Sequence, residues 1–205
     1  MYNKKKIRIR QLNAIETKNK LFEVALSLFS VYGFENTTIE QITSRAGVSK
    51  GNFYNHYPTK ESIFDELFHR IDEHYENVFR DVNPNASASD KIVTIFREMC
   101  NYLNNICGIN AIQVFYANQI TKKDSSLKIL NNKNRTFYTL LRQIVTQGKQ
   151  NGEFRTDLED EYFVELIARL ARALVYDWCL YEKEFKLSLE VTRYTDFIIS
   201  AISKK

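Results

Sequence analysis

Apolar positions recur three and four residues apart along nearly the whole chain, the period of an amphipathic α-helix. Leu21, Val24, Ala25, Leu28 and Phe29 mark a first helix over 12–32, closed by Gly33 in the place of a C-terminal cap. Thr37 with Glu40 reads as a capping box opening a short helix over 38–45. Ala46-Gly47-Val48 then makes a turn in which glycine supplies the positive φ. Ser49 caps a third short helix over 50–56, and Pro58 ends it, because the residue before proline is pushed out of helical space.

A long helix follows over 60–82, with Ile63, Phe64, Leu67, Phe68, Ile71, Tyr75, Val78 and Phe79 along one stripe. The clearest break is 83–87. Further helical patterns cover 90–106, 110–120, 125–150 and 158–182, the last opened by a second capping box, Thr156 with Glu159. A final pattern covers 188–202. No strand alternation, internal repeat or low-complexity segment is visible. The pattern predicts an all-α protein of about nine helices. Its parts are a basic N-terminal arm (1–13), a three-helix head (14–60), a linking helix (61–83) and a C-terminal bundle (84–205).

Composition agrees. The 205-residue chain has 6 glycines and 2 prolines, too few for a loop-rich β-sandwich and consistent with helices, which exclude both residues from their interiors. At 44% hydrophobic and 26% charged it reads as an ordinary soluble globule. No apolar run approaches the roughly 20 residues of a membrane span. The start lacks the apolar block of a signal peptide, so a cytoplasmic setting is expected. Cys100, Cys107 and Cys179 form no CxxC. The first two stand roughly 10 Å apart on one helix, too far to bridge. A reducing compartment fits, with buried structural thiols favoured over a redox sensor.

The net charge of +4 hides an asymmetry. Residues 1–60 carry ten Lys/Arg against four Asp/Glu, a surplus of six, whereas 61–205 carry nineteen against twenty-one. A basic head on a slightly acidic body points to a polyanionic partner for the head. Two short helices joined by a tight turn, with a third before them, are the helix-turn-helix layout, whose second helix enters the major groove. That second helix offers lysine, amides, a phenol and an imidazole, the donors that phosphate oxygens and base acceptors require.

The stretch 37–61 carries paired threonines, then Ala46-Gly47-Val48-Ser49-Lys50-Gly51, then Phe53-Tyr54-Asn55-His56-Tyr57. With Leu28-Phe29, Tyr32-Gly33-Phe34 and Leu67, it closely resembles the signature of the TetR family of bacterial regulators, over about 14–70. Pro58 departs from the pattern and should only stiffen the turn. The segment Gly148 to Phe154 also looks like a Gly-x-x-x-Gly-Glu-Phe pattern common before the family's dimer helices. The resemblance implies a homodimeric transcriptional repressor bound to a near-palindromic double-stranded operator. It also implies a C-terminal body that dimerises and holds a small effector, with no cofactor.

Site residues follow from this reading. Thr38 should give its hydroxyl and backbone N–H to a phosphate. Ser49, Lys50, Gly51 and Asn52 form the exposed first turn of the reading helix, with base contacts expected from Lys50 and Asn52. Tyr54, His56 and Lys60 match family positions that touch phosphates, with Asn55 and Tyr57 beside them. The basic run from Lys4 to Arg10 either reaches the adjacent minor groove or forms a solubilising tail.

In the body, Phe96, Met99, Cys100 and Leu103, then Phe115 and Tyr116, then Phe137 and Tyr138, then Tyr176 and Trp178 lie on helical stripes. These are plain core or the lining of a pocket for an apolar or aromatic ligand, with Asp177 either the nearest candidate counter-charge or the cap of an interface hydrogen bond. Phe163, Leu166, Ile167, Leu170 and Leu174, with Tyr194, Phe197, Ile198 and Ala201, give the last two helices wide apolar faces. Docked on their two-fold mates, these faces would build a four-helix interface. No metal site is expected, since His69 and His74 stand five apart and point to different sides of their helix. No catalytic constellation is visible. The rivals are an activator or global regulator without an effector, and a membrane-surface protein using the arm.

Overall fold

The computed structural model describes residues 2–121 and 129–204, with side chains from Ile9 onward apart from Asn131 and Lys183. Nine α-helices run among the described residues: α1 (Tyr2–Tyr32), α2 (Ile39–Ala46), α3 (Lys50–His56), α4 (Ser62–Asp81), α5 (Ala88–Tyr102), α6 (Ile109–Thr121), α7 (Thr136–Gln150), α8 (Asp160–Tyr181) and α9 (Leu187–Ile202). A π-helical turn, Leu103–Cys107, extends α5 up to Gly108 at φ 76°. The one β-bridge among these residues joins Phe154 to Ser203. The all-α expectation holds. The chain forms two compact units, Met1–Leu67 and Phe68–Lys205, with the boundary inside α4.

In the first unit, α1 starts ten residues before the 12–32 span that apolar spacing suggests. Lys, Arg, Gln and Leu are good helix formers, and no glycine or proline interrupts 2–32, so the arm is helical. The head closes on an aromatic cluster: Phe34 lies 5.0 Å from both Phe29 and Phe64, which are 5.5 Å from each other. Such pairs add about 0.5–1.5 kcal/mol each beyond their burial. The capping box sits one residue later than Thr37–Glu40. Thr37 is buried and donates to the Gly33 carbonyl at 2.8 Å. Thr38 therefore caps α2: Gln41 N donates to its Oγ1 at 3.2 Å, and Thr38 N donates to Gln41 Oε1 at 2.7 Å. Gly47, at φ 69°, turns the chain into α3, and Ser49 Oγ accepts from Asn52 N at 3.2 Å.

The second unit is tied together around Gly148. A Cβ there would stand 2.2 Å from the Phe154 ring and 2.9 Å from Ala88 Cβ, so only glycine lets α7, α5 and Phe154 meet. Gly152, at φ 74°, reverses the chain. Glu153 then caps α5, its carboxylate accepting from Ala88 N at 3.0 Å and Ser89 N at 3.3 Å. Arg155 N donates to Ile202 O, and Lys204 N to Glu153 O, both at 2.9 Å, which seats the end of α9. Buried Lys91 completes the knot, donating to Pro84 O at 2.9 Å and Gln147 Oε1 at 2.7 Å.

The second capping box does not form: Glu159 is the N-cap of α8 and makes no side-chain cap. The helix start is held instead by α7. Lys149 pairs with Asp160 at 2.7 Å, and Arg142 grips Glu161 at 2.8 and 3.1 Å. The expected start of α7 at residue 125 lies outside the described residues, and the helix begins at Thr136.

Gly148→Ala should destabilise the protein by about 3 kcal/mol, lowering Tm by roughly 6–12 °C in calorimetry. Gly152→Ala meets nothing within 4 Å and should cost only the left-handed backbone, about 1–2 kcal/mol. Equal effects would contradict this account of the knot. All three thiols are free, and burial pushes each up to about 12. Iodoacetamide at neutral pH should therefore label the native protein at least ~100-fold more slowly than the urea-unfolded chain.

Candidate nucleic-acid interface and ligand chamber

The residues expected to meet DNA fall into two groups in the head. Thr38, Ser49, Lys50, Gly51, Tyr54 and Asn55 are exposed, and Asn52 and His56 are half-buried. Burial of Phe53 against the head fixes the rotation of α3, which turns this polar side outward. Tyr54 is 49% exposed, its ring set edge-on to Phe53 at 5.6 Å.

Tyr57 is different. It is 2% exposed, and its hydroxyl donates to Lys18 O at 3.2 Å, so it is core and not a DNA contact. Lys60 is also turned inward. Its ammonium donates to Phe34 O at 2.6 Å and Thr37 O at 2.9 Å and sits 4.2 Å from the Phe34 ring centre. A lysine capping two carbonyls with its donors is poorly placed to reach a phosphate.

Lys50 carries a constraint the sequence does not show. Its ammonium pairs with Glu40 across the turn. The hydrogen bond, then its charge, raises the Lys50 ammonium, and the same bond lowers the Glu40 carboxyl. Both side chains are exposed, so the pair is weak and separable. The helical arm also changes the minor-groove expectation. An α-helix is about 10–12 Å across, and the B-DNA minor groove is about 6 Å wide.

In the body, α4 to α8 line a cavity of about 60 Å³, room for a few waters. Six of the expected pocket residues line it: Met99, Leu103, Phe115, Tyr116, Phe137 and Tyr138. Four do not. Phe96 is fully buried core. Cys100 and Trp178 border a separate recess of about 490 Å³ with Asn101, Asn104, Glu182 and Lys186. Tyr176 is exposed. Asp177 does not line the cavity and instead accepts from the Tyr194 hydroxyl at 3.1 Å.

The apolar spacing missed the wall from α4 (Phe68, Ile71, Tyr75) and two arginines. Arg135 is matched: it is bidentate to Asp72 at 2.9 and 2.8 Å, and its guanidinium lies 4.4 Å from the Phe68 ring centre. Arg172 donates to the Tyr138 hydroxyl at 2.8 Å. The available signal was its spacing, since Arg172 interrupts an inward stripe between Ala168 and Val175. Burial raises the hydroxyls of Tyr75 and Tyr116 well above the ordinary range, keeping both neutral donors.

Of the apolar positions expected at a dimer interface, Phe163, Ile167, Leu174 and Ile198 are buried within the protomer, which corrects that expectation for them. Each packs inward on its own helix stripe. Leu166, Leu170 and Tyr194 are half-buried, and Ala201 and Phe197, the latter at 64%, are exposed. Tyr162, Tyr176 and Leu180 also stand exposed on α8.

Comparison with known proteins agrees with both halves. Residues 21–67 match the model described as bacterial regulatory proteins, tetR family, and 64–201 match that of the YsiA-like protein, C-terminal region. The chain is 20% identical to the fatty acid metabolism regulator protein of Bacillus subtilis, over 91% of this chain and 95% of that one. It is 25% identical to the transcriptional repressor KstR2 of Rhodococcus jostii, over 76% and 74%. The fold matches that of the fatty acid degradation regulator FadR from Bacillus halodurans with a TM-score of 0.78 at 16% identity, covering 92% and 97%. It matches FadR from Bacillus subtilis, solved with stearoyl-CoA, with a TM-score of 0.75 at 19% identity, covering 89% and 98%. The chain belongs to the TetR family of bacterial DNA-binding transcriptional regulators.

Proposed function

We propose that this chain is a homodimeric repressor that reads a near-palindromic operator through α3. A small apolar or aromatic molecule entering the chamber of α4 to α8 releases it. The observation that carries the reading is the pairing, in one chain, of an exposed donor-rich α3 with an aromatic-lined cavity in the body. The relatives support it: one is named a repressor, and another was solved with an acyl thioester. An effector-free regulator would need no such cavity.

The contacts follow from exposure. Thr38, Tyr54 and His56 serve phosphates; Lys50 and Asn52 serve base edges, with Ser49, Gly51 and Asn55 close to the duplex. The cavity has room for only a few waters, so a larger effector must displace its walls. One wall is α4 itself, through Ile71 and Tyr75, and the same helix carries Ile63 and Phe64 in the head core. A ligand that prefers the opened cavity therefore acts on the helix that holds the reading head, and only that preference can shift the equilibrium. The exposed apolar residues of α8 and α9 are the surface for a second copy, in an isologous contact.

The test is binding to DNA upstream of the chain's own gene, by fluorescence anisotropy across a salt series. Asn52→Ala should weaken specific binding roughly 5- to 100-fold and leave non-specific binding unchanged. Glu40→Gln frees Lys50 and should tighten binding at low salt, steepening the salt slope by about one. Absence of sequence-selective binding by the unmodified protein would end the reading. Phe197→Arg should shift the protein from dimer to monomer in sedimentation while leaving its helicity intact, and operator affinity should fall with it.

A further inference from the structure

We propose that Glu40 and Lys50 act as one unit that reads a single base pair, with guanine on the lysine side and cytosine on the carboxylate side. This rests on α3 being the helix that enters the major groove. It adds a specificity-determining residue from α2 and an order in which the four base pairs are accepted.

The placement comes from the turn. Gly47, at φ 69°, folds the chain so that the first residue of α3 meets the second residue of α2. Lys50 and Glu40 stand there in ion-pair contact, both exposed. Whatever base edge the ammonium meets, the carboxylate lies beside it. An acid in this place needs a reason. Four acids fall within residues 1–60, and of these Glu40 alone lies on α2 or α3. Beside a phosphate backbone a carboxylate lowers affinity. The helix dipole favours an acid in the first turn of α2, but that role alone moves stability and not base preference.

The pair matches the major-groove edge of G·C. Guanine O6 accepts and cytosine N4 donates, and the Watson–Crick bond between them holds the two atoms about 2.9 Å apart. An ammonium and a carboxylate in contact present the opposite pattern at a similar spacing. Lys50 has three N–H donors: one stays on Glu40, and two reach guanine O6 and N7. Glu40 has two oxygens: one holds Lys50, and the other accepts from cytosine N4. Neither charge is left without a partner.

The other pairs fit less well, in order. T·A keeps an acceptor on the lysine side, thymine O4, and a donor on the carboxylate side, adenine N6. It also sets the thymine methyl against the lysine and adenine N7 against the carboxylate. In A·T and C·G the central donor and acceptor are exchanged, so an amino group faces the ammonium and a carbonyl oxygen faces the carboxylate. Specificity here comes from rejection as much as from attraction.

Selection of randomised duplexes by the full chain tests this, followed by anisotropy with each of the four base pairs placed at every consensus position. The unmodified protein should show one position per half-site where G·C binds tightest, T·A next, and A·T and C·G roughly ten-fold more weakly than G·C. Glu40→Ala should shrink that ratio to about two-fold and leave the other positions as they were. Lys50→Ala should act at the same position and bring T·A level with G·C. Glu40→Gln keeps an acceptor oxygen without the charge and should retain part of the ratio. If the alanine variant loses helicity, the glutamine variant decides, with a ratio reduced several-fold. A consensus that the Glu40 variants leave unchanged, or that Glu40 and Lys50 variants alter at different positions, overturns the joint reading alone and leaves α3 as the reading helix. No consensus from the unmodified protein overturns the operator reading and this inference together.

Discussion

The body depends on one close approach. At Gly148 the backbone of α7 comes so near the Phe154 ring and Ala88 that a single methyl would occupy space already filled. Everything around it follows from that contact. Gly152 reverses the chain just before Phe154, and the reversal puts Glu153 at the open N-terminus of α5. A carboxylate there satisfies two orphan amides and opposes the positive end of the helix dipole. The two backbone bonds to the end of α9 then place the last helix, with its exposed Phe197, on a frame set by α5 and α7. A motif that looks like a linker is a structural knot.

The head solves a different problem. A DNA-reading surface must keep positive charge without letting it unravel short helices. Three devices meet this need. Lys60 is withdrawn to cap two carbonyls beneath the Phe34 ring. Tyr57 is sunk into the core, with its hydroxyl on α1. Lys50 is held against Glu40 in an exposed pair. The first two bind the motif's aromatic and basic positions to stability. The third leaves a charge in reserve at the surface, where an exposed pair is easily exchanged.

This division explains what was legible in the sequence. Helix periodicity, the Gly47 turn, the Ser49 cap and the span of α3 depend on local chemistry, and they read off directly. The capping box slipped by one because Thr37 is pulled into the core by a tertiary environment that local spacing cannot see. The box at Thr156 was a coincidence of residue types, outcompeted by ion pairs from α7. At the chamber, aromatic stripes found the residues on α5, α6 and α7 but could not separate Met99, which lines it, from Phe96, three residues before, which does not. Arg172 was missed because a lone charge in an apolar stripe was passed over.

The small size of the cavity bears on how the protein could switch. A body already built around a large empty pocket would bind its ligand with little change of shape and would transmit little. Here the space holds a few waters, so a ligand must separate packed side chains and lose their contacts. Burying an apolar chain returns about 0.8 kcal/mol per methylene, or roughly 7 kcal/mol for nine of them. Driving a two-state equilibrium from 1:99 to 99:1 requires about 5.5 kcal/mol of differential binding. A chain of that length exceeds the shift by under about 2 kcal/mol, which is what remains for separating the walls, whereas one of three or four carbons, at roughly 3 kcal/mol, falls short of the shift itself. The work of opening falls to the chain. On this argument the small volume of the cavity favours a long effector over a short one.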